Sequence, residues 1–187
     1  VRKAVGRIHN VHITRSQSEG SVPYFEMWLA ADRQTVVTKV DKEYTVHEFG
    51  KRLITVYTPG SPPRTMPQPA ETSDSCRKFM TAVFRNMIFA HASETDSFSQ
   101  AQYVASDRPG ENWSMYELTQ TDAGRGVASS RRQWKVFFDQ ILELPVKIKY
   151  SGQPSSGDGP VEVQVTKFTY LTRSAMESEI EASLPIP

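Results

Sequence analysis

The sequence contains a single cysteine and no clear excess of either charge. Cys76 has no second cysteine with which to form a disulfide inside the chain, which is typical of proteins from a reducing compartment. The 22 lysines and arginines are balanced by 21 aspartates and glutamates, so the molecule as a whole has no strong attraction for polyanions. These features favour a cytoplasmic or nuclear protein, and they confine any polyanion-binding site to a local basic patch.

Long apolar runs are also missing. No segment approaches the roughly 20 consecutive apolar residues that a membrane-spanning helix requires. The apolar fraction of 38% is nevertheless typical of a chain that buries a core, and 187 residues are enough for one without disulfides or metals. We therefore expect one folded domain that extends over residues 1–187.

The compact motifs of common catalytic and nucleotide sites are absent as well. There is no G-x-S-x-G, no G-x-G-x-x-G and no phosphate-binding loop with its lysine. His9 and His12 are three positions apart on a predicted strand, so they face opposite sides and do not suit one metal ion. Cys76 precedes two basic residues that would favour a thiolate, but its apolar neighbours favour a small core residue. The sequence predicts a non-enzymatic protein without cofactor or metal.

Alternation of apolar and polar residues predicts an antiparallel sheet. Segments 24–31 and 35–40 read as neighbouring strands joined by a turn at Asp32 and Arg33. Segments 145–151 and 161–170 predict a long hairpin, whose solvent face should pair the lysines of the first strand with the acids and amides of the second. Further strands are expected over 4–14 and 113–119, while 43–58 reads as a mixture of helix and strand.

Apolar spacings of three and four residues predict two main helices. In residues 75–92, Cys76, Phe79, Met80 and Val83 recur on one face. In residues 130–144, the apolar face would hold Trp134, Phe137, Phe138, Ile141 and Leu142, with Ser130 and Gln133 as a capping box. A short acidic helix over 174–184 would begin with a second capping box at Ser174 and Glu177. The predicted fold is α+β: an antiparallel sheet packed by the helices at about 75–92 and 130–144.

A proline-rich segment interrupts this pattern at residues 58–74. It contains five prolines, which predicts an exposed connector without a strand ladder or a helix. Short proline-rich stretches adopt polyproline II and are bound by other proteins. Residues 58–70 are therefore a candidate contact for a protein partner or for self-assembly.

The strongest functional pattern is TDAGRGVASSRRQWK, at residues 121–135. If a helix begins at Ser130, its free N–H groups, the preceding glycine loop and the arginines suit a phosphate or carboxylate. Trp113 and Tyr116 precede the loop and are candidates for stacking on bases. The predicted polyanion-binding residues are Arg125, Ser129, Arg131, Arg132 and Lys135.

A second basic face is expected on the first main helix, from Arg77, Lys78 and Arg85. If the two surfaces converge, they form a groove for a phosphate backbone, as in a nucleoprotein, coat-type or ribonucleoprotein subunit. The sequence thus predicts a binding or assembly module for RNA or DNA. The alternative is a protein-protein interaction domain of the adaptor or scaffold type, with a pleckstrin-homology-like or similar fold, whose arginines hold an acidic peptide or a phospholipid head group.

Overall fold

The structure, a computed structural model, describes residues 9–69, 75–89, 100–105, 113–122, 130–153 and 162–184. Eleven strands form one sheet in the order β6-β5-β4-β3-β2-β1-β11-β10-β9-β8-β7, and every neighbouring pair is antiparallel. The described residues also contain two α-helices. The elements are β1 (Asn10–Ser16), β2 (Phe25–Ala30), β3 (Thr35–Val40), β4 (Glu43–Glu48), β5 (Leu53–Tyr57), β6 (Arg64–Pro67), α1 (Cys76–Phe89), β7 (Gln100–Ala105), β8 (Trp113–Asp122), β9 (Ser130–Asp139), β10 (Leu144–Gln153), β11 (Glu162–Tyr170) and α2 (Arg173–Ser183).

The strand order divides the sheet into two up-and-down halves. Strands β1 to β6 follow one another from the centre to one edge, and β7 to β11 follow one another from the other edge back to the centre. The halves meet where β1 pairs with β11, from Val11 opposite Tyr170 to Ser16 opposite Val165. The two ends of the described chain are therefore joined at the middle of the sheet.

Helix α1 packs on one side of the sheet, which we call the α1 face. Ile13, Leu29 and Val36 are completely buried there, because alternate residues of β1, β2 and β3 point to the same side. Cys76 and Met80, one turn apart on α1, are buried in the same cluster. This cluster continues along the sheet to Trp134, Val136 and Ile148.

Helix α2 packs on the opposite side, the α2 face. Met176 and Ile180 are four residues apart, and both are buried against Trp28, Ala30 and Val37. The helix begins after Thr172, whose hydroxyl accepts a hydrogen bond from the Ala175 amide at 3.3 Å. The cap is thus Thr172, and the predicted capping box at Ser174 and Glu177 is wrong.

The predicted helix over residues 130–144 is also wrong, because residues 130–139 form strand β9. Trp134 and Val136 alternate into the buried cluster, whereas Phe137 is half-buried on the other face. The adjacent pair Phe137 and Phe138 imitates a helical stripe, although the tryptophan, valine and two phenylalanines of this segment suit a strand. Of the rest of the predicted apolar face, Ile141 and Leu142 are exposed in the turn after β9.

Two other local predictions are corrected. The proline-rich segment contains strand β6, which pairs with β5 from Leu53 opposite Pro67 to Val56 opposite Arg64. An edge strand tolerates proline because only one of its sides needs a hydrogen-bonded ladder. The segment 43–58 is two strands with a turn, and not a mixture of helix and strand. Residues 70–74 of the predicted connector lie outside the described residues.

The register between β10 and β11 differs from the predicted one. Lys149 lies opposite Val165, and Tyr150 lies opposite Gln164. The lysines of β10 therefore share a face with valines, and the amide of β11 lies on the α1 face. An alternating pattern identifies the two faces of a strand, but it does not say which residues of the next strand share each face.

The structure agrees with the α+β class, since it is a large antiparallel sheet with two helices in the described residues. Neither of these helices is long and apolar enough to span a membrane.

Candidate functional site

Four lysines form a continuous basic surface on the α2 face, where β9, β10 and β11 lie side by side. Lys135 lies directly opposite Lys149, and Lys147 lies directly opposite Lys167. Side chains of directly opposed residues are about 5 Å apart at Cβ, and like charges in such positions repel one another. We call Lys135, Lys147, Lys149 and Lys167 the lysine patch.

Among the described residues, two carboxylates from outside these three strands contact the patch. Glu19, in the loop between β1 and β2, accepts hydrogen bonds from Lys147 Nζ at 3.1 Å and from Lys149 Nζ at 2.5 Å. Glu117 on β8 lies 3.4 Å from Lys135 Nζ and also accepts a hydrogen bond from Gln133. Two carboxylates against four ammonium groups leave a local positive charge, although the chain as a whole is nearly neutral.

The lysines strongly perturb Glu19. Hydrogen bonds from Lys149 and then Lys147 lower the pKa of the Glu19 carboxyl from 4.5 to about 2. Glu19 therefore remains anionic in mildly acidic as well as neutral solution, and half of its side chain is exposed to water. The patch can hold a carboxylate in water, and it does so without a buried environment.

Aromatic side chains border the patch on the same face. Lys147 Nζ lies 4.7 Å from the centre of the Phe137 ring, a cation–π contact. Trp113 meets the edge of Phe137, with the ring centres 5.1 Å apart. Proteins that bind single-stranded nucleic acids combine a basic surface, which contacts the phosphates, with aromatic side chains, which stack on the bases.

The predicted polyanion-binding residues that the structure describes lie on strand β9, and not at the start of a helix. Arg131 and Arg132 occupy consecutive positions of β9, and consecutive positions alternate between the two faces of a strand. Lys135 lies on the α2 face and belongs to the lysine patch. Arg125 and Ser129 lie outside the described residues. Because no helix begins at Ser130, the free N–H groups of a helix end no longer support the site.

The two predicted stacking residues are on opposite sides of β8. Trp113 is half-buried on the α2 face, whereas Tyr116 is 41% exposed on the α1 face and meets the edge of Phe138. Three positions separate them, so strand alternation keeps them apart. Of the two, Trp113 alone lies on the side of the lysine patch.

The second predicted basic face does not converge with the lysine patch. Arg77 and Lys78 are exposed on α1, which packs on the α1 face. The backbone of Arg85 also belongs to α1. The sheet therefore separates Arg77 and Lys78 from the lysine patch.

A polar cluster anchors α2 to the sheet. The rings of His12 and Trp28 are stacked, with centres 4.5 Å apart. Trp28 Nε1 donates a hydrogen bond to Glu179 at 3.1 Å, and His12 Nδ1 lies 3.0 Å from the same oxygen. Lys39 donates to Glu26 at 2.6 Å, and this hydrogen bond raises the pKa of Lys39. The cluster fixes the position of the C-terminal helix.

Burial also shifts the pKa values of Cys76 and His47, which lie on the α1 face. Cys76 is completely buried in the core cluster, which confirms its interpretation as a core residue, and this burial raises the pKa of its thiol to about 11. Burial lowers the pKa of His47, whose Nδ1 is buried and has no hydrogen-bond partner among the described residues. The His47 ring lies 6.2 Å from both Phe49 and Phe79.

Replacing His47 with phenylalanine should remove part of the acid sensitivity of the fold. Unfolded chains protonate histidine below about pH 6.5, whereas burial opposes protonation of His47 in the folded state, so the wild type loses stability as the pH falls below this value. H47F has no such loss and no unpaired nitrogen, and we expect it to be about 1 kcal/mol more stable at pH 5. Urea unfolding at pH 5 and pH 7.5 measures the difference. An equal pH dependence in both proteins would contradict the assignment.

Comparison with known proteins adds no functional assignment. No protein-family model matches this chain, and no curated protein shows significant sequence similarity to it. Within the described part of the chain, no three histidine, cysteine, aspartate or glutamate side chains are grouped so that they could hold a metal ion.

Sequence reasoning missed three members of this patch as site residues. Lys147 and Lys149 were recognisable as the solvent face of a strand, but Lys167 was not connected to them. The alternation of Lys147 and Lys149 was the available signal. Their juxtaposition with Lys135 depends on strand register, and the approach of Glu19 depends on a contact across 128 residues.

Proposed function

We propose that the protein is a non-catalytic binding module that uses the lysine patch to bind a polyanion, with RNA or DNA as the ligand. The observation that carries the proposal is the direct pairing of lysines across strands, Lys135 with Lys149 and Lys147 with Lys167. Such pairs reduce the stability of a sheet unless an anion lies between them. A surface that concentrates this repulsion in one place suits an anionic ligand.

Nucleic acid is favoured over an acidic peptide by the aromatic border. Phe137 and Trp113 lie on the same face as the lysines, so a strand whose phosphates contact the patch brings its bases close to aromatic edges. The carboxylates of an acidic peptide would pair with the lysines, but they would make no stacking contact with these rings. The Arg131 position of β9 extends the same row, two residues from Gln133 and four from Lys135.

Salt dependence provides the test. Four lysine–phosphate contacts should give a slope of about −3 in a plot of log affinity against log salt for single-stranded RNA, and about −4 for duplex DNA. The experiment is a fluorescence anisotropy titration of both labelled probes at low and moderate salt. A glutamate-rich peptide of equal charge is the comparison ligand.

The double variant K147A/K149A tests the position of the site. We expect its affinity for RNA to fall roughly 10- to 30-fold at low salt, and its salt slope to become shallower by about 1.4. The matched control is K42A/K51A, which removes two exposed lysines from the turns at the ends of β4. Equal losses in both variants would contradict the proposed site, and tighter binding of the peptide than of RNA would favour an acidic protein partner.

A further inference from the structure

Glu19 contacts two of the four lysines of the lysine patch, Lys147 and Lys149, without belonging to the strands of the patch. Its two carboxylate oxygens contact Lys147 and Lys149 separately, one each. The phosphate of a nucleic acid also presents two non-bridging oxygens to such a pair of ammonium groups. Glu19 therefore stands where an anionic group of a ligand would bind.

The loop holds Glu19 in place through its own hydrogen bonds. The Ser21 amide donates to the Ser18 carbonyl at 3.3 Å, as in a four-residue β-turn. Gly20, at the third position, has a φ of 83°, a conformation that glycine adopts without strain. The Ser21 hydroxyl also accepts from the Ser18 amide at 3.1 Å and donates to the Ser18 carbonyl at 2.9 Å. We call residues 18–21 the Glu19 turn.

These local bonds do not depend on the contact between Glu19 and the lysines. The Glu19 side chain is half exposed, and no other side chain of the turn has a hydrogen bond to the lysine patch among those resolved in the described residues. The carboxylate can therefore rotate away while the turn keeps its shape. Exposed ion pairs are weak, so a ligand that brings several phosphates can displace it.

We propose that Glu19 is an internal competitor that occupies the nucleic-acid site of the lysine patch and is displaced when a phosphate binds. The proposal rests on the proposed function, because it concerns the same lysines. A ligand must replace the contacts between Glu19 and the lysines before it can bind. Isolated small anions are therefore excluded, and ligands with several adjacent phosphates are selected. Lys135 and Lys167 provide the first attachment, because the contacts of Glu19 in the described residues are with Lys147 and Lys149.

The test compares E19Q with the wild type in RNA anisotropy titrations at fixed salt. Glutamine keeps the size of the side chain and removes its charge, so we expect affinity to rise about threefold to tenfold. The matched control is E181Q, which makes the same charge change at an exposed position of α2. Its effect should be less than twofold, because Glu181 lies on a helix and not in the turn that contacts Lys147 and Lys149, and salt screens the interactions of exposed charges.

A triple variant separates competition from a general charge effect. If Glu19 acts through Lys147 and Lys149, E19Q should give no gain in the K147A/K149A background. An equal gain in both backgrounds, or no gain in the wild-type background, would overturn the internal competitor and leave the proposed function intact. Absence of RNA binding by both the wild type and E19Q at low salt would instead overturn the proposed function itself.

Discussion

Trp28→Ala is expected to destabilise the fold by about 3–5 kcal/mol, the range for removing a large aromatic side chain from a core. Trp28 is 2% exposed and lies between the sheet and α2, next to Met176 and Ile180. Its loss leaves a cavity under the helix, and it also removes the stacking partner of His12 and the donor to Glu179. The measurement is the free energy of unfolding from urea titrations followed by circular dichroism.

The control for this variant is Trp28→Phe. Phenylalanine keeps an aromatic ring next to His12 but cannot donate to Glu179, so we expect a loss of about 1–2 kcal/mol. Hydrogen exchange locates the effect, since the amides of α2 should lose protection in W28A before those of α1. A loss below 1 kcal/mol in W28A would show that Trp28 does not hold α2 on the sheet.

Leu29→Ala should destabilise the fold by about 2–5 kcal/mol, because it removes a buried side chain from the other face of β2, opposite Trp28. Leu29 is completely buried on the α1 face, in one cluster with Val36, Cys76 and Met80. Because consecutive residues of β2 point to opposite faces, this change weakens the contact with α1 and leaves the Trp28 cluster intact. Urea unfolding gives the magnitude, and hydrogen exchange should show the larger loss of protection in α1.

Leu29→Ile is the volume-conserving control. It changes the shape of the side chain but leaves no large cavity, so the expected loss is below about 1.5 kcal/mol. If L29A and L29I were equally destabilised, side-chain shape and not buried volume would determine the stability of this cluster. If L29A instead reduced the protection of α2 most strongly, the assignment of the two faces would be wrong.

The α1 helix was predictable because its apolar residues recur at helical spacing and its sequence has no competing pattern. Cys76, Phe79, Met80 and Val83 follow this spacing, and Cys76 and Met80 are buried. The first residue of the helix is Cys76, one position after the predicted start. Local periodicity was sufficient for this element because a helix is built from local contacts.

Strand β9 could not be recognised by periodicity alone. Trp134 and Val136 alternate correctly, but Phe137 is also apolar because it packs beside Trp113 and Lys147 on the other face. A strand that uses both faces loses its alternation and can imitate a helix. The composition of the segment, with three aromatic residues and a valine, was the better indicator.

The candidate site depends on information that the sequence pattern does not contain. The lysines of β10 were visible as a solvent face, but their neighbours are determined by the register with β9 and β11. Glu19 reaches them from a turn on the other half of the sheet. Strand alternation also separates Trp113 from Tyr116, which a linear sequence presents as close neighbours.

The pairing of β1 with β11 has a consequence for the order of folding. The partners are about 150 residues apart, while the other strand pairs are hairpins or neighbours in the chain. Each half of the sheet can therefore form from local contacts, but the two halves can join only after β11 has been synthesised, and pairing strands so far apart in the chain is slow. Until then β1 is an unpaired strand edge on a nascent chain, and this is the stage at which we expect the protein to depend most on chaperones.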